Sequence, residues 1–138
     1  MIVADTNVVS ELMKDQPDPG VLTWAAALDQ SEVTISVVTV QEIERGLGRL
    51  PAGRRQRTLT GRWHQLLEAY ADTVLTYDLP AAQAAATVLV QREKAGRPIS
   101  LADAEIAGTC VSQDATLATR NTADFTGIPG LTLIDPFA

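Results

Sequence analysis

One cysteine, Cys110, and one histidine, His64, occur in the whole chain. A lone thiol excludes an internal disulfide framework and suits a reducing compartment. Neither residue type can supply the ligand set of a zinc centre. Ser-His-Asp or Cys-His catalysis would have to rest on His64 alone. No apolar run approaches the ~20 residues of a membrane-spanning helix. The N-terminus, Met1-Ile2-Val3-Ala4-Asp5, has no basic region ahead of an apolar stretch, so a cytoplasmic protein with no membrane partner is expected. Positive charge is scarce as well. Eleven Lys+Arg against 17 Asp+Glu leave a net charge of -6, which opposes the phosphate neutralisation on which nonspecific nucleic-acid binding depends. Six of the eleven, Arg45, Arg49, Arg54, Arg55, Arg57 and Arg62, nevertheless share one stretch, so a local positive surface is available.

What is present is ordinary for a folded protein. Hydrophobic residues make up 46% and charged residues 20% of 138 residues, enough apolar surface to offset the ordering entropy of one domain over 1–138. Apolar strand-like runs alternate with amphipathic helical stretches, which predicts a parallel α/β architecture. Ile2 to Ala4 reads as a short buried strand. Asp18-Pro19 starts a helix with Val21, Trp24, Ala25 and Leu28 on one face. Val33 to Val37 alternates as a second strand. Thr39 caps a helix with the stripe Val40, Ile43, Leu47 and Leu50, ended by Pro51 and Gly53. The next helix presents Trp63, Leu66, Leu67 and Tyr70. Thr73 to Thr76 is a third strand candidate. Pro80 opens an alanine-rich helix that stops near Gly96 and Pro98. Ser100 opens a helix whose Asp103, Ile106, Ala107 and Cys110 share a face. Leu117 to Thr119 and Leu131 to Ile134 complete the strand candidates.

Ligands of open parallel sheets bind beyond the carboxyl ends of the strands. Four acids fall there: Asp5 directly after the first strand, Glu42 and Asp103 in the first turns of helices, and Asp124 in the loop after the Leu117 strand. Each has a local alternative. Asp5 can cap a helix, Thr39-Val40-Gln41-Glu42 matches a capping box, Ser100 to Asp103 is a weaker box, and Asp124 can be a turn residue. Together they say more. Crowded carboxylates repel unless a cation holds them. Oxygen donors without spare histidine or cysteine specify a hard ion, Mg2+ or Mn2+. Such an ion activates water and polarises a phosphoryl group, which equips a phosphodiesterase that has no protein nucleophile.

The segments around the four acids resemble known motifs. Asp5-Thr6-Asn7-Val8-Val9-Ser10-Glu11 resembles the opening motif of PIN-domain ribonucleases, and Glu42-Ile43-Glu44-Arg45-Gly46 the second. Leu101-Ala102-Asp103-Ala104-Glu105-Ile106-Ala107 resembles the third, and Thr119-Arg120-Asn121-Thr122-Ala123-Asp124-Phe125 the fourth. The nearest likeness is to VapC-type toxins, particularly the FitB-like branch. The resemblance implies a three-layer α/β/α sandwich with a short, mainly parallel five-stranded sheet. It implies a Mg2+- or Mn2+-dependent endoribonuclease, acting as the toxin of a toxin–antitoxin pair. Asp5, Glu42, Asp103 and Asp124 match its acidic quartet of catalytic metal ligands. Thr6, Asn7 and Asn121 match the polar positions that orient them, with Ser10 and Thr119 as further candidates. A homodimer, a VapB-like antitoxin and operator DNA bound through that antitoxin are implied partners, besides the RNA substrate. Gly108 stands in the third motif's helix where alanine is more usual, and is expected to loosen it by ~1 kcal/mol.

Other residues carry weaker expectations. Arg45, Arg49 and Arg120 are candidates for RNA contact; the alternative is a solvated hairpin with Glu42 and Glu44 pairing the guanidinium groups. His64 is expected on the surface, Cys110 in the core, and Trp24, Trp63 and Tyr70 in the core or a dimer interface. Two rival functions remain: a non-catalytic binding module of the same fold, or a haloacid-dehalogenase-like phosphatase. The phosphatase needs a second aspartate where Asn7 stands, and a lysine near the third motif, whereas the only lysines are Lys14 and Lys94.

Overall fold

The computed structural model describes residues 1–138. Four short strands form the sheet: β1 (Ile2–Ala4), β2 (Val33–Thr34), β3 (Thr116–Ala118) and β4 (Thr132–Ile134), in the order β2-β1-β3-β4. Every pair is parallel, with Ile2 beside Val33, Ala4 beside Ala118, and Ala118 beside Ile134. Between β1 and β2 come α1 (Thr6–Leu12) and α2 (Pro19–Ala26). Between β2 and β3 come α3 (Val37–Arg49), α4 (Arg54–Tyr70), α5 (Leu79–Lys94) and α6 (Leu101–Ser112). A one-turn helix, α7 (Thr122–Phe125), precedes β4. No helix is long and apolar enough to cross a membrane.

The period-two alternation of the strands divides the core. Val3 and Leu117 join Ile106, Ala107 and Cys110 on one side of the sheet. Ala4 and Ile35 join Val8, Val9 and Trp63 on the other. Each face therefore buries its own apolar cluster, and helices cover both. Trp63 is wholly buried, and its indole N–H donates to Glu44 Oε2 at 3.3 Å.

The sheet has four strands, not the expected five. Thr73 is held in a turn by its N–H bond to Tyr70 O, and its carbonyl accepts the Thr34 hydroxyl at 2.7 Å. Only Leu75 is left to pair, through a single parallel bridge to Ser36. The second strand also ends early, at Thr34 rather than Val37. Ser36 takes the N-cap of α3, its Oγ accepting Thr39 N–H at 3.2 Å, so the helix starts ahead of the expected Thr39 cap. The β-branched run Val37 to Val40 favours strand by propensity, but burial of Val38 and Thr39 in a helix outweighs that preference.

Gly108 is explained by packing. A Cβ there would lie 2.6 Å from Ala81 O and 2.6 Å from Ala85 N, both backbone atoms of α5. The missing methyl lets α5 and α6 approach closely, and α5 answers with Ala81 and Ala85, both buried. Gly108 thus permits a tight helix contact, contrary to the expectation that it merely loosens its own helix.

Candidate active site

The strand register sets the site. Ala4 lies beside Ala118, so the residues that follow, Asp5 and Thr119, emerge together at the carboxyl edge. The ladder continues past them, with Asp5 N–H donating to Ala118 O and Thr119 N–H to Ile134 O, both at 2.9 Å. The chain runs from β1 to β2 on one side and reaches β3 on the other. The β1/β3 edge is therefore the topological switch point, where open parallel sheets leave a crevice.

Asp5 is both a helix cap and a buried carboxylate, 3% exposed. Its Oδ1 accepts Thr6 N–H at 2.8 Å. Its Oδ2 accepts the Thr119 hydroxyl at 2.8 Å and Asn7 Nδ2 at 3.2 Å. The Asn7 amide is oriented by Arg120 N–H, which donates to Asn7 Oδ1 at 3.1 Å. Burial pushes the Asp5 carboxyl up to about 6 against the opposing bonds from Thr119 and Thr6, with smaller contributions from the charges of Asp103 and Glu42.

Glu42 lies in the second turn of α3, not the first, because that helix begins at Val37. The capping-box reading of Glu42 therefore fails. Its Oε1 instead accepts the Thr6 hydroxyl at 2.7 Å, and Thr6 Oγ1 lies 3.1 Å from Thr39 Oγ1. Thr39, read from sequence as a cap, is fully buried in this chain of hydroxyls. The available signal was its position three residues before Glu42, on the same helical face.

Asp103 is the third residue of α6, with its N–H bonded to Ser100 Oγ at 3.2 Å. Its carboxyl is held above the usual range, first by burial and then by the charges of Glu42 and Asp124. Asp124 lies in α7 rather than in the expected loop, with its side chain exposed. Two arginines from the C-terminal part of the chain after α5's midpoint fix that turn: Arg92 Nη1 donates to Asp124 O at 2.7 Å, and Arg97 Nη2 to Ala123 O at 3.4 Å. Nothing in the sequence marked either.

The four acids are thus linked electrostatically, Asp103 with all three others, yet no basic side chain neutralises them. The ion pairs of the molecule are Lys14–Glu11 and Arg62–Asp15. Glu42 and Glu44 pair with no arginine, which removes that form of the solvated-hairpin alternative. His64 is exposed, and burial pushes the Cys110 thiol up to about 12. Oxygen donors are what the site offers, and these suit a hard divalent ion. No three Asp, Glu, His or Cys side chains stand close enough to enclose an ion as they are. Magnesium does not require such a cage, because it is held through one or two carboxylates and keeps several waters.

The remaining candidates divide. Ser10 is exposed and lines a groove that also reaches Thr6 and Glu42. Asn121 is exposed, and its backbone N–H donates to Thr119 Oγ1 at 3.0 Å. Arg120 lies over the Phe137 ring, 4.7 Å from its centroid. Arg45 and Arg49 sit on the exposed face of α3 and line neither large cleft.

Burial of Asp5 has a measurable consequence. A carboxyl raised from 3.8 to about 6 binds its proton more tightly in the fold than in the unfolded chain. Its contribution to stability is full below pH 3.8 and is lost as pH rises through about 6, by about 3 kcal/mol. In EDTA, Asp5→Asn should therefore gain stability relative to the parent protein as pH rises from 4 to 7. Urea midpoints at a series of pH values measure this; a constant difference between the two proteins contradicts it.

Residues 2–130 match the family model of the PIN domain. The chain belongs to the PIN-domain family. It is 40% identical over 138 residues to VapC ribonuclease Y4jK of Sinorhizobium fredii, covering 99% of this chain and 98% of that protein. It is 35% identical over 126 residues to toxin FitB of Neisseria gonorrhoeae, covering 91% of each. Among solved structures, FitAB bound to an IR36 DNA fragment superposes with a TM-score of 0.92 at 32% identity, covering 100% of this chain and 96% of that one. The PIN-domain assignment spans all four acids and strands β1 to β3, ending just ahead of β4.

Proposed function

We propose that this PIN-domain protein is a Mg2+- or Mn2+-dependent endoribonuclease and the toxin of a toxin–antitoxin pair. The observation that carries the reading is a group of four carboxylates at the sheet's switch point, electrostatically coupled and without a basic partner. Asp5 and Asp103 would hold the ion, and Glu42 and Asp124 would complete the site. When bound, the ion polarises the phosphoryl group and lowers the pKa of the attacking water. Hydrolysis in line leaves a 5′-phosphate. The chain's own part is orientation. Thr119 and Asn7 aim Asp5, Thr6 aims Glu42, and Ser10 and Asn121 stand beside them to orient bound water.

A relative named as a toxin, and a neighbour seen as FitAB on DNA, support a small VapB-like antitoxin as the partner. Operator DNA is then bound through the antitoxin. Carboxylates without a guanidinium partner suit an inhibitory arginine from such a protein. The family likeness supports a homodimer, and the lone buried thiol suits a reducing cytoplasm. The deciding experiment incubates antitoxin-free protein with RNA in Mg2+ or in EDTA. Cleavage confined to Mg2+ is expected, and equal cleavage in both overturns the proposal.

A further inference from the structure

A polyanionic substrate presents this protein with a problem of charge. The chain carries a net charge of -6, and the carboxylates themselves repel phosphates. Affinity for RNA has to come from cations placed within reach of the acidic site. The arginine-dense stretch supplies them, but not through the residues at its start. A cleft of about 830 Å3 is lined by Lys14, Arg54, Arg55, Thr58 and Arg62, with Asp15 as its one carboxylate. An adjoining groove of about 280 Å3 shares Lys14, Arg55 and Leu59 with that cleft and ends at Thr6 and Glu42. The shared residues make the two neighbours: a basic cleft beside a groove walled by Met13, Ile43, Leu47 and Leu50, with Glu42 as that groove's one carboxylate.

The cations differ in how they are engaged. Arg62 is tied to Asp15 at 2.6 Å and to Met13 O at 2.8 Å, and Lys14 to Glu11 at 2.8 Å. The Arg54 and Arg55 side chains make neither hydrogen bond nor ion pair with the protein. They occupy the first two positions of the 17-residue α4, whose first turn has no acid and whose N-cap, Gly53, offers no side chain. Arginines at the positive end of a helix dipole are unfavourable unless an anion joins them.

We propose that Lys14, Arg54, Arg55 and Arg62 form a phosphate-binding cleft that grips the RNA backbone to one side of the bond cut at the carboxylates. The inference rests on the ribonuclease reading and assigns the substrate a path: backbone phosphates along α4, the scissile bond at Asp5 and Asp103. Guanidinium forks match phosphate oxygens and read no sequence, so the cleft contributes affinity and register rather than base choice.

The test uses the full chain carrying Asp103→Asn, so that RNA is bound without being cut. A fluorescent single-stranded RNA is titrated and its anisotropy followed at several salt concentrations. Adding Arg54→Gln and Arg55→Gln should weaken binding about 10-fold at moderate salt. The slope of log affinity against log salt should fall by about 1.4, the value for two lost contacts to single-stranded phosphates. Lys94→Gln, at the C-terminal end of α5, should change neither. The thermal midpoint should not drop, because each replacement removes a cation from the wrong end of a dipole. Unchanged RNA affinity in the double variant overturns the cleft, including the case where it loses only binding to a poly-glutamate peptide, which would make the cleft a protein site. Failure of the unmodified protein to bind or cut RNA overturns the ribonuclease reading itself, a distinct result.

Discussion

Asp103→Asn is expected to lower RNA cleavage at least about 100-fold while leaving the protein as stable as its parent, or more so. Residues that only orient metal ligands typically contribute 10–100-fold, and a ligand itself sits at or above that range. The stability half of the expectation comes from the raised carboxyl of Asp103. Burial and the charges of Glu42 and Asp124 oppose its ionised form, so a neutral amide of the same shape relieves repulsion. Activity lost through misfolding would bring the opposite sign. Steady cleavage rates and EDTA thermal midpoints, measured side by side, separate the two. In cells, expression of the parent without an antitoxin should slow growth, and the variant should not. A variant that cleaves at parental rates removes Asp103 from the site. The charge density that makes the pocket costly to fold is the same property that would draw a divalent cation to it.

The second large effect is structural. Gly108→Ala should lower stability by about 2 kcal/mol or more, a fall of roughly 8 °C in Tm. Helix propensity alone predicts a gain of about 1 kcal/mol. The clash reverses that sign, because the new methyl would meet Ala81 O and Ala85 N at 2.6 Å, and backbone cannot swing aside as a flexible side chain can. The α6 helix that must shift carries Asp103 in its first turn, so cleavage should fall along with Tm. Gly46→Ala is the control. Nothing lies within 4 Å of a Cβ there, and the same substitution should stabilise. Equal Tm gains for both variants would contradict the packing account.

Much of this protein is local chemistry and could be read along the chain. The Asp18-Pro19 and Ser100 caps, the Gly96 stop and the apolar stripe through Trp63 depend on neighbours a few residues apart, and the elements they mark are present. The placement of four acids beyond strand ends or in the helices that follow was legible for the same reason. Where local signals competed, the nearer signal misled. Val37 reads as the end of a strand but opens a helix, because Ser36 caps it and Val38 and Thr39 are buried. Thr73 to Thr76 has β-branched residues, yet only Leu75 finds a partner.

The tertiary structure alone decided how the acids are held. Thr119 reaches Asp5 through the register of β1 with β3, and Thr6 reaches Glu42 across two helices; neither contact has a periodic trace in the sequence. It also set where the arginines lie. Arg54 and Arg55 face a cleft together with Lys14, whereas Arg45 and Arg49 point elsewhere, a distinction that composition cannot make. Periodicity encodes which face of an element is apolar, because burial acts on every turn or pleat. It does not encode which polar side chains meet, because a single hydrogen bond between distant segments leaves no repeat to read.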